Sequence, residues 1–178
     1  FFALKKYIFG QTDDLRKLHL DEQIQFSLIS IGLGVIIIAI QPLIRAGFEL
    51  LPAFQSPKID PVELRQFEIW DIPVLLSHVI FMPISEELFF RGFLLKGLLK
   101  KNSWIKSLLI SAILFALLHF AWLTMDMLSF KRVFITFIGG LFAGALYIKT
   151  KDIAYPILFH VTWNLIGNLD DFISIPFA

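Results

Sequence analysis

The sequence predicts an all-α fold, a polytopic transmembrane helical bundle of about five spans with an amphipathic segment at its N-terminal end. Of its 178 residues, 57% are hydrophobic, 20 of them Phe, and only 17% are charged. Soluble domains have about 45–50% apolar and about 25% charged residues. The apolar runs also approach the roughly 20 residues that cross a bilayer. Residues 1–178 are therefore expected to form a single integral-membrane domain that contacts membrane lipids and no nucleic acid.

Two absences in the sequence narrow the function classes. There is no cysteine, which excludes disulfides, thiolate zinc sites and a cysteine nucleophile. The chain starts at Phe1, and no charged n-region precedes a cleavage site. We therefore expect no signal peptide and an N-terminus trimmed from a longer chain.

The first third of the sequence combines an interfacial segment, one span and a connection. Residues 1–24 alternate basic and apolar side chains, which is typical of an interfacial amphipathic segment or of a solvated terminal helix. Residues 26–44 are long and apolar enough to span the bilayer. Residues 45–69 contain three prolines and several polar residues, which predicts a water-facing loop or short interfacial helices.

The next apolar stretch, residues 70–99, contains the charged residues of greatest interest. Pro73 and Pro83 are predicted to break it. Ser85 then caps a new helix, with two acidic residues in the first turn, where the helix macrodipole favours negative charge.

Three further spans complete the predicted bundle. The elements are a span over 104–122, a loop over 123–132, a span over 133–149 and a last span over 153–175. The spacing Gly140-x-x-x-Gly144 allows a neighbouring helix to approach closely. Lys149 and Lys151 flank a tight turn.

The distribution of basic residues orients the bundle. One predicted side has ten Lys and Arg residues and the other has five. The first side is expected to be cytoplasmic, and it includes the N-terminus and the access to the site. Its basic residues are Lys5, Lys6, Arg16, Lys17, Lys96, Lys100, Lys101, Lys106, Lys149 and Lys151.

Charges inside an apolar span are costly unless they are paired or used. Glu87 and Arg91 are four residues apart, acid first, and so share a helix face in the favourable order. They form either part of a functional site or an ion pair that only stabilises the helix. Glu86 is rotated by roughly 100° from Glu87 about the helix axis, and it has no partner three or four residues further along the same helix. A carboxylate at this position needs a group from another helix, and a buried carboxylate without a partner suits a general base or acid.

Histidines on other spans are candidates for that group. His160 and Asn164 are four residues apart and share a face. Counted from the cytoplasmic side, Glu86, His160 and Asn164 lie roughly 15, 10 and 16 Å deep and can meet, whereas His119 lies roughly 22 Å deep. Helix tilt can bring His119 to the same place.

Each histidine has a simpler interpretation as a packed residue with a hydrogen bond to a neighbouring helix. We expect this packing role for His78 and a surface position for His19.

A carboxylate, two histidines and an amide donor suit peptide-bond hydrolysis. Glu86, helped by His119, would take a proton from water, and His160 and Asn164 would donate hydrogen bonds to the oxyanion. Alternatively, Zn²⁺ held by His119, His160 and a glutamate such as Glu86 would activate the water. The sequence does not decide between a zinc-dependent mechanism and one without a cofactor. The His-Glu-x-x-His and Gly-x-Ser-x-Gly patterns are absent.

Three motifs in order resemble those of a known family. They are Glu86-Glu87-Leu-Phe-Phe-Arg91, Phe115-Ala-Leu-Leu-His119 and His160-Val-Thr-Trp-Asn164. This set resembles the CAAX protease and bacteriocin-processing family (Abi, or CPBP) of intramembrane endopeptidases, over a core of about residues 70–168.

The resemblance implies an all-helical intramembrane protease. Glu86 would be the catalytic glutamate, and His119 its partner in activating water. His160 and Asn164 would form the oxyanion site, with Glu87 and Arg91 supporting the first motif. Both a metalloprotease and a metal-independent glutamate mechanism are associated with such relatives, which commonly have more than five helices. The substrate would be a membrane-associated peptide or protein, and the location the plasma membrane of a prokaryote.

Two other function classes remain. The first is a non-proteolytic binding or bacteriocin-immunity protein with the same fold, and a membrane-protein partner or an oligomer is possible in either case. The second is a proton-coupled transporter, since an intramembrane Glu with His can relay protons. Against transport, the sequence has no repeat halves.

Overall fold

Five helices form the part of the chain that the computed structural model describes, which is residues 18–50, 71–120 and 127–168. They are α1 (Leu20–Glu49), α2 (Asp71–Leu99), α3 (Trp104–Leu118), α4 (Met127–Thr150) and α5 (Ala154–Gly167). No strand occurs within these ranges, so the predicted all-α class is confirmed. Most of the predicted amphipathic segment, most of the connection over 45–69 and the end of the last span lie outside the described residues.

Length and composition make three of these helices candidate membrane spans. They cover Leu20–Phe48, Asp71–Leu99 and Phe130–Thr150. The helix α3 is apolar but has only 15 residues, and α5 has 14. Large apolar side chains such as Phe81 and Phe93, 66% and 71% exposed, cover the outer surface, as expected where lipid is the solvent. The chain is an integral membrane protein.

The predicted break in the second span is wrong, because α2 runs without interruption from Asp71 to Leu99. Pro73 lies in its first turn, where no amide is needed, and Pro83 is accommodated next to a π-helical stretch over Ser77–Phe81. Ser85 caps nothing, since its hydroxyl donates to the carbonyl of Met82 at 2.8 Å. The two acidic residues therefore lie in the middle of a helix, away from any helix terminus.

Several other predicted boundaries shift. The first span is longer than 26–44, because Glu22 accepts a hydrogen bond from the amide of His19 at 3.1 Å and starts α1 six residues earlier. The predicted loop over 123–132 is helical from Met127 onward. The span predicted to reach 122 ends at Leu118, and α5 ends at Gly167.

The core lies where α1, α4 and α5 meet. Its buried members come from all three helices and are Ile37, Ile135, Ala143, Leu146 and Phe159. The short turn between α4 and α5 is confirmed: Lys151 adopts a positive φ of 57°, and the Thr150 hydroxyl accepts from the amide of Asp152 at 3.2 Å. Such a short connection makes α4 and α5 antiparallel neighbours.

The predicted close approach at Gly140 is also observed. A Cβ atom at this position would lie 3.1 Å from the Cα atom of Ala112, so α3 packs directly against the backbone of α4. Small residues at a helix interface allow this approach in membranes.

Gly139 offers a sharp test of the packing beside α5. A Cβ atom there would overlap the indole ring of Trp163, which also lies against Phe159 and His160 with ring centroids 5.9 and 5.7 Å away. We expect Gly139→Ala to lower the free energy of unfolding by about 1–3 kcal/mol, as overpacking does.

The matched control is Gly97→Ala, since nothing lies within 4 Å of a Cβ atom at Gly97 in α2. Alanine there should be neutral or stabilise the helix by about 0.5–1 kcal/mol. Thermal unfolding of both variants in the same detergent provides the measurement. Equal melting temperatures for the two variants would contradict the packing described.

Candidate active site

The charged pair on α2 is fully buried. A terminal nitrogen of Arg91 donates to Glu87 Oε1 at 2.8 Å, and both side chains are 0% exposed. The other terminal nitrogen donates to the backbone carbonyl of Gly140 in α4 at 3.1 Å. The guanidinium carbon also lies 4.5 Å from the ring centroid of Phe115 in α3, within the range of a cation–π contact. Arg91 therefore connects α2 with both α3 and α4.

Glu87 also holds a histidine from α5. Its Oε1 atom lies 2.9 Å from Nδ1 of His160, whose side chain is only 5% exposed. A carboxylate oxygen can only accept, so Nδ1 carries the proton and donates. The opposite ring nitrogen, Nε2, is thereby left to face the neighbouring carboxylate, Glu86. Glu87 therefore fixes the orientation of the His160 ring, as a carboxylate bound to one ring nitrogen does when the other nitrogen acts in a site.

Glu86 lies between two imidazole rings. Its Oε2 atom is 3.7 Å from Nε2 of His160 and 3.9 Å from Nε2 of His119. The ring of His119 is fixed from its other side, where Nδ1 donates to the carbonyl of Phe115 at 2.8 Å. His119 therefore joins the site in spite of its greater predicted depth. The partner that the sequence requires for Glu86 comes from two other helices.

The three converging atoms are suited to hold a small polar molecule. Separations of 3.7 and 3.9 Å are too long for direct hydrogen bonds. Either gap has the size that one bridging water spans, with its oxygen about 2.8 Å from both atoms of the pair. Glu86 and His119 are 22% and 30% exposed, so this side of the cluster is open, whereas Glu87 and Arg91 close the other side.

Asn164 also contacts α2, at a point on that helix before Glu86 and Glu87. Its Nδ2 atom donates to the backbone carbonyl of His78 in α2 at 2.9 Å. Asn164 lies one turn after His160 in α5, so both project from one face. The predicted packing role of His78 is wrong: its ring is exposed and lies 2.9 Å from the carbonyl of Val74, while its backbone takes part in the contact. His19, as predicted, is exposed.

Two buried atoms of the charged pair have no hydrogen-bond partner within the described residues. They are Glu87 Oε2 and Arg91 Nε. A buried unpaired polar group costs about 1–3 kcal/mol, so these two atoms are expected to bind water or a further polar group.

The donor atoms fit a zinc ion less well than a water molecule. Tetrahedral zinc with bonds of about 2.0–2.1 Å separates its ligand atoms by about 3.3 Å. The corresponding separations here are 3.7 and 3.9 Å. Within the three described ranges, no group of three or more His, Cys, Asp or Glu side chains is arranged to hold a metal ion.

Comparison with protein families identifies the stretch that contains this cluster. Residues 68–166, more than half of the chain, match the family described as type II CAAX prenyl endopeptidase Rce1-like. The chain belongs to this family. The resemblance seen in the sequence motifs is thereby confirmed, and membership in a protease family favours proteolysis over binding or transport. Comparison with curated proteins and with solved structures gives no match.

The Rce1-like stretch contains every side chain that the sequence singled out for the site. It begins just before α2 and ends one residue before the end of α5. The candidate residues within it are Glu86, Glu87, Arg91, His119, His160 and Asn164. Sequence reasoning missed the carbonyls of Gly140 and His78, because backbone acceptors have no residue-type signal. For Gly140, the small-residue spacing was the only indication.

Proposed function

We propose that the chain is an intramembrane endopeptidase that hydrolyses a peptide bond in a membrane-associated peptide or protein, using water activated by Glu86 and His119. The observation that supports this most is the convergence of Glu86 Oε2 with Nε2 of His119 and of His160, at 3.9 and 3.7 Å. A general base must lie within reach of the proton that it takes, directly or through one water.

In the first step, Glu86 takes a proton from water, and the oxygen of this water attacks the carbonyl carbon of the scissile bond. The neutral ring of His119 has its Nδ1 proton engaged by Phe115, so its Nε2 lone pair accepts the second proton of the water in a hydrogen bond. When the tetrahedral intermediate collapses, the C–N bond breaks and the leaving amine takes the proton held by Glu86.

The oxyanion needs donors on the opposite side of the carbonyl. His160 can supply one from Nε2 when the ring carries both protons, since Nδ1 then continues to donate its hydrogen bond to Glu87. Asn164 can supply a second from Nδ2. This division assigns activation of water to α2 and α3, and stabilisation of charge to α5.

The family description names CAAX prenyl endopeptidases, and we propose a substrate held at or in the membrane, with its scissile bond reached from the cytoplasmic side. The excess of basic residues at the predicted cytoplasmic ends of the helices supports this orientation. Phe89 and Phe93 are large exposed apolar side chains on α2. A substrate chain that packs against them would stay in contact with lipid.

The test is cleavage of quenched fluorescent membrane peptides by the purified protein in liposomes. Wild type should cleave, with or without a chelator. His160→Ala should lower kcat about 10²–10³-fold, the usual loss for one oxyanion donor. The matched control is His19→Ala, since His19 is exposed at the start of α1 and should leave cleavage unchanged. Thermal unfolding confirms that both variants are folded.

Three results would count against the proposal. Folded His160→Ala with wild-type activity would remove the assigned oxyanion donor. Activity lost with chelator and restored by zinc would make Glu86, His119 and His160 metal ligands. No cleavage of any peptide by folded wild type would favour the binding or immunity function.

A further inference from the structure

A π-helical turn in α2 changes which backbone groups find partners. The turn covers Ser77–Phe81, and the amide of Met82 donates to the carbonyl of Ser77, five residues earlier. With the same spacing of five residues, the carbonyl of His78 would accept a hydrogen bond from the backbone amide of residue 83. Residue 83 is a proline, which has no amide proton. The carbonyl of His78 is therefore left without its backbone donor.

Asn164 supplies the missing proton from another helix. Its Nδ2 atom donates to this carbonyl at 2.9 Å. Inside a membrane, an unpaired backbone group is especially costly, because no water is available to bind it. The contact pairs a carbonyl that lacks its helix donor, and it restricts the rotation of the Asn164 side chain.

We propose that Pro83 is a positioning residue, which acts through the His78 carbonyl to fix the amide plane of Asn164 in the site. The amide nitrogen has two protons, and the contact uses one of them. Since the group is planar, holding one N–H fixes the direction of the second. The catalytic part of this inference rests on the proposed function, whereas the contact between Pro83, His78 and Asn164 does not.

This arrangement explains why a buried proline lies within a helix three residues before the candidate base. Proline in a helix interior usually kinks or breaks the helix, and here the π turn accommodates it. An alanine at this position would bring back a backbone N–H to compete for the His78 carbonyl. Asn164 would then lose the constraint on its amide, although it would still be present.

The first test is a double-mutant cycle on stability, which requires no activity. Thermal unfolding is measured for wild type, Pro83→Ala, Asn164→Ala and the double variant. The loss of melting temperature caused by Asn164→Ala should be less than half as large in the Pro83→Ala background as in wild type. Pro42→Ala is the matched control, since Pro42 lies inside α1, and its effect should add to that of Asn164→Ala. Equal losses in both Pro83 backgrounds would overturn the proposal.

A second pair of variants covers the case in which Pro83→Ala does not fold. Asn164→Asp removes the donor and should lower the melting temperature more than Asn102→Asp does. Asn102 Nδ2 also donates to a backbone carbonyl, that of Leu98 at 3.2 Å, but this carbonyl keeps the backbone amide of Asn102 at 2.9 Å. Equal losses for the two variants would contradict the assignment.

Kinetics then test the positioning role. Pro83→Ala should lower kcat at least fivefold with little change in KM, and adding Asn164→Ala should lower it further by less than twofold. Pro42→Ala should keep the wild-type kcat. A coupled stability cycle together with an unchanged kcat in Pro83→Ala would overturn the positioning role. A coupled cycle in a protein that cleaves nothing would overturn the proposed function and leave the contact standing.

Discussion

Glu86→Gln is expected to lower kcat by about 10²–10⁴-fold, because it removes the group that takes the proton from water. The amide has the same shape, and within the described residues the ionisable groups nearest to the Glu86 carboxylate are two histidines at 3.7 and 3.9 Å, so folding should be unaffected. Peptide cleavage in liposomes and thermal unfolding give the two measurements.

The matched control for this substitution is Asp21→Asn, an exposed carboxylate in the first turn of α1. It should keep wild-type cleavage. If Glu86→Gln also cleaves at the wild-type rate, Glu86 is not the base. If instead a cellular protective effect survives in Glu86→Gln while wild type cleaves nothing, the immunity function is the better explanation.

Arg91→Met should lower the free energy of unfolding by about 3–5 kcal/mol, since it leaves the carboxylate of Glu87 buried without its cation. Both side chains are 0% exposed, and Arg91 also supplies the hydrogen bond to Gly140. Chemical unfolding in detergent gives the measurement. Arg132→Met, at an exposed position in α4, is the matched control and should change stability by less than about 0.5 kcal/mol.

A double variant separates the lost charge pair from the lost packing. Adding Glu87→Gln to Arg91→Met removes the unpaired charge and should recover part of the stability. A loss below about 1 kcal/mol in Arg91→Met would show that the pair is solvated. No recovery in the double variant would place the cost in the contacts with Phe115 and Gly140 instead.

The sequence predicted the helical class and the main spans because hydrophobicity decides both. It placed the boundaries less well. The helix start at Leu20 depends on a capping contact of Glu22, and the path through Pro83 depends on a π turn and on a donor from α5. Neither is visible in local propensity, since each is determined by hydrogen bonds that form only in the folded protein.

For the site, the spacing between charged residues carried most of the information. Glu87 and Arg91 pair at four residues as predicted, and Glu86 does find its partners on other helices. The depth of His119 was harder to predict, because counting residues assumes untilted helices. The orientation of His160 by Glu87 was not predicted, since the two residues are 73 positions apart and only the fold brings them together.

The shortness of α3 has a consequence for how hydrolysis is possible inside a bilayer. Its 15 residues cover about 22 Å, and the hydrocarbon layer is about 30 Å thick. His119 follows directly at the end of this helix. Lipids around a short helix thin locally, so headgroups and their hydration layer should approach by up to about 8 Å on this side. This end of α3 is opposite to the basic, predicted cytoplasmic end. We therefore expect the bilayer, deformed by mismatch, to deliver the attacking water to Glu86 from the face opposite to the one from which the scissile bond is reached.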